Sequence, residues 1–269
     1  MQELNKVKDI LKYIINYFFF LIKSKSHGGY GIHSPFVYEF STQVLNSPGK
    51  TDELSETELL VAELKQNEEI IQMIDLGAPS RWAKSETRTI KSIARHSSSN
   101  IREGRMLYRL VKWYQPDTII ELGTCLGVST MFMAKGGGTS RIITVEGNKQ
   151  LIMKAEENLK KTGCKNVELV ENNFESAVEN FKALIIKKGI IYIDGNHQYT
   201  PTINYFNTLI KILQEGCVII DDIRWSEEMK KAWNEIVKHK QTTVSIDLFD
   251  KGIIFKKEGL SRQHFKIRY

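Results

Sequence analysis

The apolar residues of this chain follow one pattern from residue 117 onward and a different pattern before it. After 117, short runs rich in isoleucine and valine alternate with longer segments of helical periodicity. The runs predict strands at 117–122, 141–146, 167–171, 189–194 and 217–221, and the periodic segments predict helices at 128–135, 148–162, 174–182, 201–214 and 226–238. This alternation is typical of an α/β fold with a parallel sheet and helices on both faces.

The end of the chain departs from the alternation. Strands predicted at 242–248 and 251–256 follow one another with only Phe249 and Asp250 between them, and no helix intervenes. We therefore expect a terminal hairpin in which one strand runs antiparallel to the others. Together with the five preceding strands, it predicts a seven-stranded sheet with one reversed strand.

The first 102 residues lack the strand–helix alternation and predict a helical cap, with helical patterns at 3–23, 34–46, 55–70 and 84–96. A further helix at 103–114 leads into the first strand. We thus divide the chain into a cap at 1–102, for substrate selection or oligomerisation, and an α/β domain at 103–269. Residues 74–80 contain an acid–glycine turn with Pro79 in it, which we interpret as a loop of the cap, or alternatively as a lid.

The helix predicted at the N-terminus is rich in aromatic and aliphatic residues between 10 and 22, interrupted by Lys12 and Asn16. The apolar stretch is too short to span a bilayer, and no small-residue cleavage site follows it. We expect an amphipathic helix packed on the protein body or on a second subunit in a homodimer. Peripheral contact with a membrane surface is the alternative.

Composition places the chain among ordinary globular proteins, with 41% hydrophobic and 26% charged residues in 269. The net charge of +6 is spread along the sequence, so no dense basic patch indicates a nucleic-acid partner. The cysteines Cys125, Cys164 and Cys217 are widely spaced, which suggests buried thiols in a reducing cytoplasm rather than a zinc site. We expect a cytoplasmic protein.

The candidate chemistry begins with a glycine turn after the first predicted strand, at 121–129 (ELGTCLGVS). A strand, a glycine turn and a helix present backbone N–H groups to a ligand at the carboxyl end of the strand. Gly123 and Gly127 are separated by three residues, and the G-x-G-x-x-G spacing of nicotinamide and flavin sites is absent. The second strand ends on Glu146, a position from which a carboxylate can accept both hydroxyls of a ribose.

Three further carboxylates follow the fourth and fifth predicted strands. Asp194 ends one strand, and Asp221 and Asp222 end the next, so parallel pairing brings them together at one edge of the sheet. Three carboxylates at one place repel one another without a cation, and oxygen ligands suit Mg²⁺, Mn²⁺ or Ca²⁺. The alternative is that one aspartate caps a helix and another hydrogen-bonds the cofactor.

His197, three residues after Asp194, is the candidate general base because imidazole titrates near neutrality and can take a proton from an acceptor hydroxyl. The alternative is that His197 only hydrogen-bonds its own loop. Trp225 and Tyr199 are candidates for the acceptor pocket or for core packing.

On these motifs, residues 103–256 resemble the class I S-adenosylmethionine-dependent methyltransferases, and among them the small-molecule O-methyltransferases of the catechol and caffeoyl-CoA type. The resemblance implies a Rossmann-like seven-stranded sheet with one reversed strand and S-adenosylmethionine as cofactor. It also implies Asp194 as a catalytic-site residue, and cofactor contacts from Glu121, Gly123, Thr124, Gly127, Ser129, Glu146, Asn173 and Asp194.

The same resemblance implies a divalent metal, such as Mg²⁺, bound by Asp194, Asp221 and the residue at 222. Two positions depart from it, because Asp222 stands where those families carry Asn, and His197 stands where they carry Lys. The sequence Asp-Gly-x-His-x-Tyr at 194–199 is similar to a bacterial branch of the group, as are the stretches 33–37 and 222–226.

The sequence therefore predicts transfer of a methyl group from S-adenosylmethionine to a small molecule, at a hydroxyl oxygen. The alternatives are an NAD(P)-dependent oxidoreductase, which the missing glycine spacing and the terminal hairpin oppose, and a non-catalytic binding module on the same fold. An Asp/Asn-Pro-Pro-aromatic motif is absent from the sequence, which disfavours methylation of DNA bases at amino groups. The acceptor is not identifiable from these residues.

Overall fold

A mixed sheet forms the centre of the protein. The computed structural model describes residues 2–26, 28–46, 52–73, 87–96 and 99–269. Its strands are β1 Lys25–Ser26, β2 Ile70–Gln72, β3 Thr87–Thr89, β4 Thr118–Leu122, β5 Arg141–Glu146, β6 Val167–Glu171, β7 Ile186–Ile193, β8 Leu213–Ile220, β9 Val244–Asp247, β10 Gly252–Lys256 and β11 Gln263–Arg268.

The helices alternate with the strands in the second half of the chain and cluster in the first. They are α1 Gln2–Lys23, α2 Pro35–Phe40, α3 Ser55–Leu64, α4 Ile90–His96, α5 Ile101–Tyr114, α6 Val128–Gly137, α7 Lys149–Lys161, α8 Phe174–Phe181, α9 Tyr199–Ile212 and α10 Glu227–Lys238. A π-helical turn at Ser41–Leu45 extends α2, and a 3₁₀ turn at Asp52–Leu54 precedes α3.

Within the described residues the large sheet has nine strands, in the order β1-β11-β9-β10-β8-β7-β4-β5-β6. Strands β4 to β8 run parallel, and β10 is antiparallel to both of its neighbours, β8 and β9. The predicted α/β class and the single reversed strand are confirmed. The predicted count of seven is two short, because β11 pairs with β9 and β1 pairs with β11.

The central strands read as nearly unbroken apolar runs because helices cover both faces of the sheet. On β4, Ile119 belongs to the core cluster beneath α2 and α5, and Ile120 belongs to the cluster beneath α8, α9 and α10. Both side chains are fully buried. Because β4 to β8 run parallel, their carboxyl ends lie along one edge of the sheet, and the candidate residues lie at that edge.

The cap is less helical than predicted. Residues 70–72 and 87–89 form the antiparallel pair β2 and β3, with Ile71 opposite Arg88, whereas the sequence predicts the end of a helix at 70 and a helix through 87–89. Both of these side chains are buried, Ile71 at 2% exposure and Arg88 at 7%, so packing rather than helical propensity sets the local structure. The acid–glycine segment at 74–80 lies outside the described residues.

Helix α1 contacts the body through one part of its surface. Phe20 is 4% exposed, and its ring, with those of Tyr13 and Tyr17, surrounds Phe249 at centroid distances of 5.2, 5.2 and 4.8 Å. Other large apolar side chains on the helix are 52–64% exposed: Leu11, Ile14, Ile15, Phe18, Phe19 and Ile22. A second subunit or a membrane surface on this face stays a prediction. In the described part of the chain no helix has the length and apolar character needed to cross a bilayer.

Candidate active site

The glycine turn brings the ends of β4 and β7 into contact. Gly123 has φ +111, and a Cβ placed on it would lie 2.0 Å from the carbonyl oxygen of Asp194. The two strand ends are also joined by a hydrogen bond from Asp194 N to Leu122 O at 2.9 Å. Because even a methyl group does not fit, glycine is required here for the two strand ends to approach.

Gly127 begins the helix that follows the turn. It is the N-cap of α6, with φ +77. A Cβ on Gly127 would lie 3.4 Å from the Cβ of Ala155, which is ordinary van der Waals contact. The N-terminus of a helix carries a partial positive charge and N–H groups that attract polar or anionic ligands.

Glu121 lies beneath the turn and is fully buried. Its carboxylate accepts hydrogen bonds from the hydroxyls of Ser129 at 2.5 Å, Thr130 at 2.5 Å and Thr144 at 2.6 Å, and Thr124 Oγ1 lies 2.6 Å from Thr144 Oγ1. Burial raises the pKa of Glu121, and the three hydroxyl donors lower it in part.

Glu121, Thr124 and Ser129, predicted to contact the cofactor, are buried residues with 0%, 1% and 5% exposure. Their side chains are hydrogen-bonded to one another or to Thr144, so they hold the turn in shape from below. A cofactor contact from these three residues stays a prediction.

Glu146 projects from the tip of β5 as predicted. Its Oε2 accepts from the backbone N–H of Cys125 and its Oε1 from that of Asn148, both at 2.9 Å. These bonds fix the carboxylate while leaving each oxygen a further lone pair. Burial raises the pKa of Glu146, and the backbone donors of Asn148, Cys125 and Gly147 act in the opposite direction.

Asn173, the weaker cofactor candidate, caps α8. Its side-chain oxygen accepts from Ser176 N at 2.8 Å, and its backbone is extended with φ −74 and ψ 155. That oxygen therefore satisfies a backbone N–H group in the first turn of α8. A cofactor contact from Asn173 stays a prediction.

The ends of β7 and β8 carry the predicted acidic cluster. Tyr192, a fully buried residue of β7, donates its hydroxyl to Asp221 Oδ2 at 2.5 Å, and the same hydroxyl lies 3.3 Å from Asp194 Oδ2. Asp222 N donates to Asp221 Oδ1 at 2.8 Å. The structure thus brings Asp194, Asp221 and Asp222 together as the strand positions predicted.

The positive charge among these carboxylates belongs to Lys251, the residue immediately before β10. Its Nζ forms a hydrogen-bonded ion pair with Asp221 Oδ2 and lies 3.8 Å from Glu103 Oε1. The side chains of Lys251 and Asp221 are 7% and 10% exposed. A cation is present, as the repulsion argument required, but it is an ammonium group of the chain itself.

The residues present do not fit a divalent metal. Both oxygens of Asp221 already accept from protein donors, and Lys251 contacts Oδ2, the oxygen that also accepts from Tyr192. Among the described residues, no grouping of three or more His, Cys, Asp or Glu side chains is arranged to hold a metal ion. The predicted site at Asp194, Asp221 and Asp222 is therefore corrected to an ion-paired cluster.

Charge and burial act differently on the three aspartates. Burial raises the pKa of Asp221, but the charge and hydrogen bond of Lys251 outweigh it, so the net shift is downward. Burial and the charge of Asp221 raise the pKa of Asp194 well above its usual range. For Lys251, burial lowers the pKa, but the charges of Asp221, Glu103 and Asp194 raise it by more. The net shift is upward, so the ammonium stays charged.

His197 lies at the open side of the cluster. Its Nε2 is 3.8 Å from Asp222 Oδ2, its ring centroid is 5.9 Å from that of Trp225, and its side chain is 25% exposed. Burial lowers the pKa of His197, with a smaller opposite effect from Asp221. A neutral imidazole that reaches solvent can accept a proton, which is what the base hypothesis requires.

We expect Asp222→Asn to stabilise the protein at neutral pH. Burial, followed by the charge of Asp221, raises the pKa of Asp222 from 3.8 to about 7. The folded state therefore binds this proton more tightly than the unfolded state, and stability falls as pH rises from 3.8 to about 7. The side chain is 38% exposed, so solvent screening reduces the effect to about 1–2 kcal/mol.

Thermal unfolding of the wild type and of Asp222→Asn checks this. The variant should have the higher Tm at pH 8 and a difference near zero at pH 4. The surface variant Asp52→Asn, in the 3₁₀ turn before α3, serves as control and should show no such pH-dependent gain. A variant less stable than wild type at pH 8 would show that the Asp222 charge is favourable where it stands.

The loops at this edge hold strained backbone. Among the described residues, Gln115, Cys125, Asn196, Asp222 and Phe249 are the non-glycine residues with positive φ, at 51°, 51°, 63°, 53° and 81°. Four of the five follow β4, β7, β8 and β9, at the edge that carries the candidate residues. Such conformations persist only where the surroundings enforce them, and they concentrate at functional sites.

Sequence reasoning did not include Lys251, Tyr192 and Glu103. Tyr192 stands inside an apolar run, which is typical of core packing. Lys251 begins the predicted strand 251–256 directly after a turn, where a lysine is typically exposed to solvent. The available signal was the carboxylate repulsion, which called for a cation in the chain as well as for a metal.

Comparison with protein families agrees with this geometry. Residues 120–223 match the family model described as a methyltransferase domain. An uncharacterized protein of Acanthamoeba polyphaga mimivirus is 32% identical over 148 residues, a match that covers 49% of this chain and 65% of that protein. The match thus spans less than two thirds of the relative's length.

Solved structures share the fold at low sequence identity. The Bacillus cereus O-methyltransferase crystallised with S-adenosylhomocysteine has a TM-score of 0.54 at 18% identity, covering 82% of this chain and 97% of that one. The S-adenosylhomocysteine-bound Podospora anserina methyltransferase PaMTH1 has 0.56 at 18%, covering 84% and 97%. The Streptomyces achromogenes O-methyltransferase TomG, in complex with S-adenosylmethionine, has 0.57 at 14%, covering 82% and 96%.

The resemblance of residues 103–256 to class I S-adenosylmethionine-dependent methyltransferases agrees with the matched domain and, at the level of the fold, with these solved structures. The matched residues 120–223 form part of a Rossmann-like sheet with one reversed strand.

Proposed function

We propose that this protein transfers a methyl group from S-adenosylmethionine to a hydroxyl oxygen of a small molecule. The observation that carries the proposal is the pairing of the tight Gly123 turn with the anchored Glu146 carboxylate at neighbouring strand tips. Relatives of this fold that were crystallised with S-adenosylmethionine or S-adenosylhomocysteine support the choice of cofactor.

When bound, the cofactor would supply an electrophilic methyl group on its sulfonium sulfur. S-adenosylhomocysteine, a neutral thioether, would be the leaving group. Glu146 would accept hydrogen bonds from the ribose hydroxyls, and the backbone around Gly123 would receive the methionine portion. The acceptor oxygen forms the new bond to the methyl carbon, and its proton passes to neutral His197. The protein contributes in-line positioning and a base, which are the main requirements of this reaction.

The alternatives, an NAD(P)-dependent oxidoreductase and a non-catalytic module, differ from the proposal in ligand preference. Titration calorimetry with S-adenosylmethionine, S-adenosylhomocysteine and NAD separates them. We expect binding of the first two and none of NAD. Binding of NAD alone would favour the oxidoreductase, and binding of S-adenosylhomocysteine without turnover of a broad panel of small hydroxylated compounds would favour the module.

Glu146→Ala should weaken S-adenosylhomocysteine binding by about 30- to 150-fold, because a charge-assisted pair of hydrogen bonds to the ribose is lost, worth about 2–3 kcal/mol. Isothermal titration measures the change. Glu171→Ala is the matched control, since Glu171 is paired beside Glu146 at the tip of β6 and is exposed. Equal affinities for wild type and Glu146→Ala would contradict the proposal that Glu146 binds the ribose hydroxyls.

A small molecule as acceptor is supported by the half-buried surroundings of His197, where Trp225 stands beside the imidazole. We propose no nucleic acid as acceptor, since the charge of +6 is spread along the chain.

A further inference from the structure

The acidic cluster at the ends of β7 and β8 contains its own buried cation. Lys251 is 7% exposed and contacts Asp221 directly, and its Nζ lies 3.5 Å from the hydroxyl of Tyr192 and 3.8 Å from Glu103 Oε1. A charge withdrawn from water must be compensated by opposite charge and hydrogen bonds. These contacts supply that compensation from protein atoms alone.

Asp221 is the centre of the arrangement. Its Oδ2 accepts from Tyr192 at 2.5 Å and from Lys251, and its Oδ1 accepts from Asp222 N at 2.8 Å. A divalent ion bound at this cluster would take its ligands from the same oxygens and would meet the ammonium group at contact distance. The two cations therefore exclude one another.

Removing the ammonium leaves a different chemistry. Asp221 and Asp194 share the Tyr192 hydroxyl, Asp222 is the next residue, and Glu103 faces the same space. Without Lys251 the negative charge at these oxygens is uncompensated, and a divalent ion that displaces their bound protons meets the hard oxygen donors that Mg²⁺ and Mn²⁺ prefer.

We propose that Lys251 is the built-in cation of this cluster, so that methyl transfer by this protein needs no divalent metal, and that loss of Lys251 converts the cluster into a divalent-cation site. The first half rests on the proposed function. The second half concerns cation binding alone and holds whether or not the chain transfers methyl groups.

Mn²⁺ binding to the full-length protein, followed by electron paramagnetic resonance and titration calorimetry, tests the proposal. Wild type and Lys251→Arg should show no specific Mn²⁺ binding, because each keeps a cation in the cluster. Lys251→Ala should bind one Mn²⁺ per chain, and 10 mM Mn²⁺ should raise its Tm by about 5–10 °C. The double variant Lys251→Ala with Asp221→Asn should lose most of this gain.

Lys257→Ala is the matched control, because Lys257 forms a 2.8 Å ion pair with Glu215 near the other end of β8. Its removal also breaks the ion pair of a carboxylate, yet it should create no Mn²⁺ site. The comparison separates a specific cluster from a general effect of removing a lysine.

The affinity of wild type for S-adenosylhomocysteine should be the same with and without EDTA. If Lys251→Ala does not fold alone, folding restored by Mn²⁺ supports the proposal, and Lys251→Gln provides a second variant of closer size. Failure of both variants to bind Mn²⁺, or stoichiometric Mn²⁺ binding by wild type that Asp221→Asn abolishes, overturns it. The expected Mn²⁺ pattern without any S-adenosylhomocysteine binding would count against the proposed function alone.

Discussion

Replacing Gly123 by alanine should lower S-adenosylhomocysteine affinity by more than about 100-fold and also destabilise the fold. The new Cβ would lie 2.0 Å from the carbonyl oxygen of Asp194, which is backbone and cannot rotate away. The ends of β4 and β7 must separate, and the left-handed conformation at φ +111 adds strain for any other residue. Both effects fall on the turn proposed to receive the cofactor.

Gly163→Ala is the control for Gly123→Ala. Gly163 also has positive φ, at +67, but a Cβ there meets no heavy atom within 4 Å. It should lose about 1 kcal/mol of stability from backbone strain and keep its ligand affinity. Calorimetry and thermal unfolding of both variants measure the difference, and a Gly123→Ala protein with unchanged affinity would show that the turn tolerates separation of the strands.

His197→Ala should reduce kcat by about 10²–10⁴, the usual contribution of a positioned general base. Burial lowers the pKa of His197, so the imidazole is neutral across the physiological range and wild-type kcat/KM should fall only as pH drops below 6.5. The variant should regain rate as pH rises, because hydroxide then replaces the missing base. The assay uses an acceptor that the wild-type protein methylates, or a catechol as a surrogate.

His264→Ala is the matched control, because His264 lies on β11 with its Nδ1 2.8 Å from Ser245 Oγ, away from the cluster. It should leave kcat unchanged. If His197→Ala turns over at the wild-type rate in the presence of EDTA, positioning of the two reactants would remain as the source of rate.

The parts of the fold that sequence predicted are those with a strong one-dimensional signal. Strands such as β4 and β8 are buried on both faces and appear as continuous apolar runs. Strand β11, with the sequence QHFKIR, alternates polar and apolar residues over a short length, and the edge strand β1 contains two residues. Neither carries enough pattern to predict, since pairing with a distant segment is what makes them strands.

The same difference separates the predicted and missed site residues. Glu146, Asp194 and Asp221 follow parallel strands, and the ends of parallel strands share one edge, so their neighbourhood could be predicted. Lys251 reaches Asp221 only through antiparallel register, in which Gly252 of β10 stands opposite Ile220 of β8. The register between β10 and the distant strand β8 cannot be predicted from the sequence of either strand alone.

The packing of α1 on Phe249 has a thermodynamic consequence. Phe249 stands two residues before Lys251 in the β9–β10 turn, and Tyr13 of α1 donates to Asp250 Oδ1 at 3.0 Å. The docked position of α1 and the geometry of that turn therefore depend on the same contacts. If docking of α1 changes the affinity of the cluster for a ligand, reciprocity requires that the ligand change the free energy of docking by the same amount. The contacts of Tyr13 with Phe249 and Asp250 are where such a coupling would pass, because they join α1 to the turn that precedes Lys251.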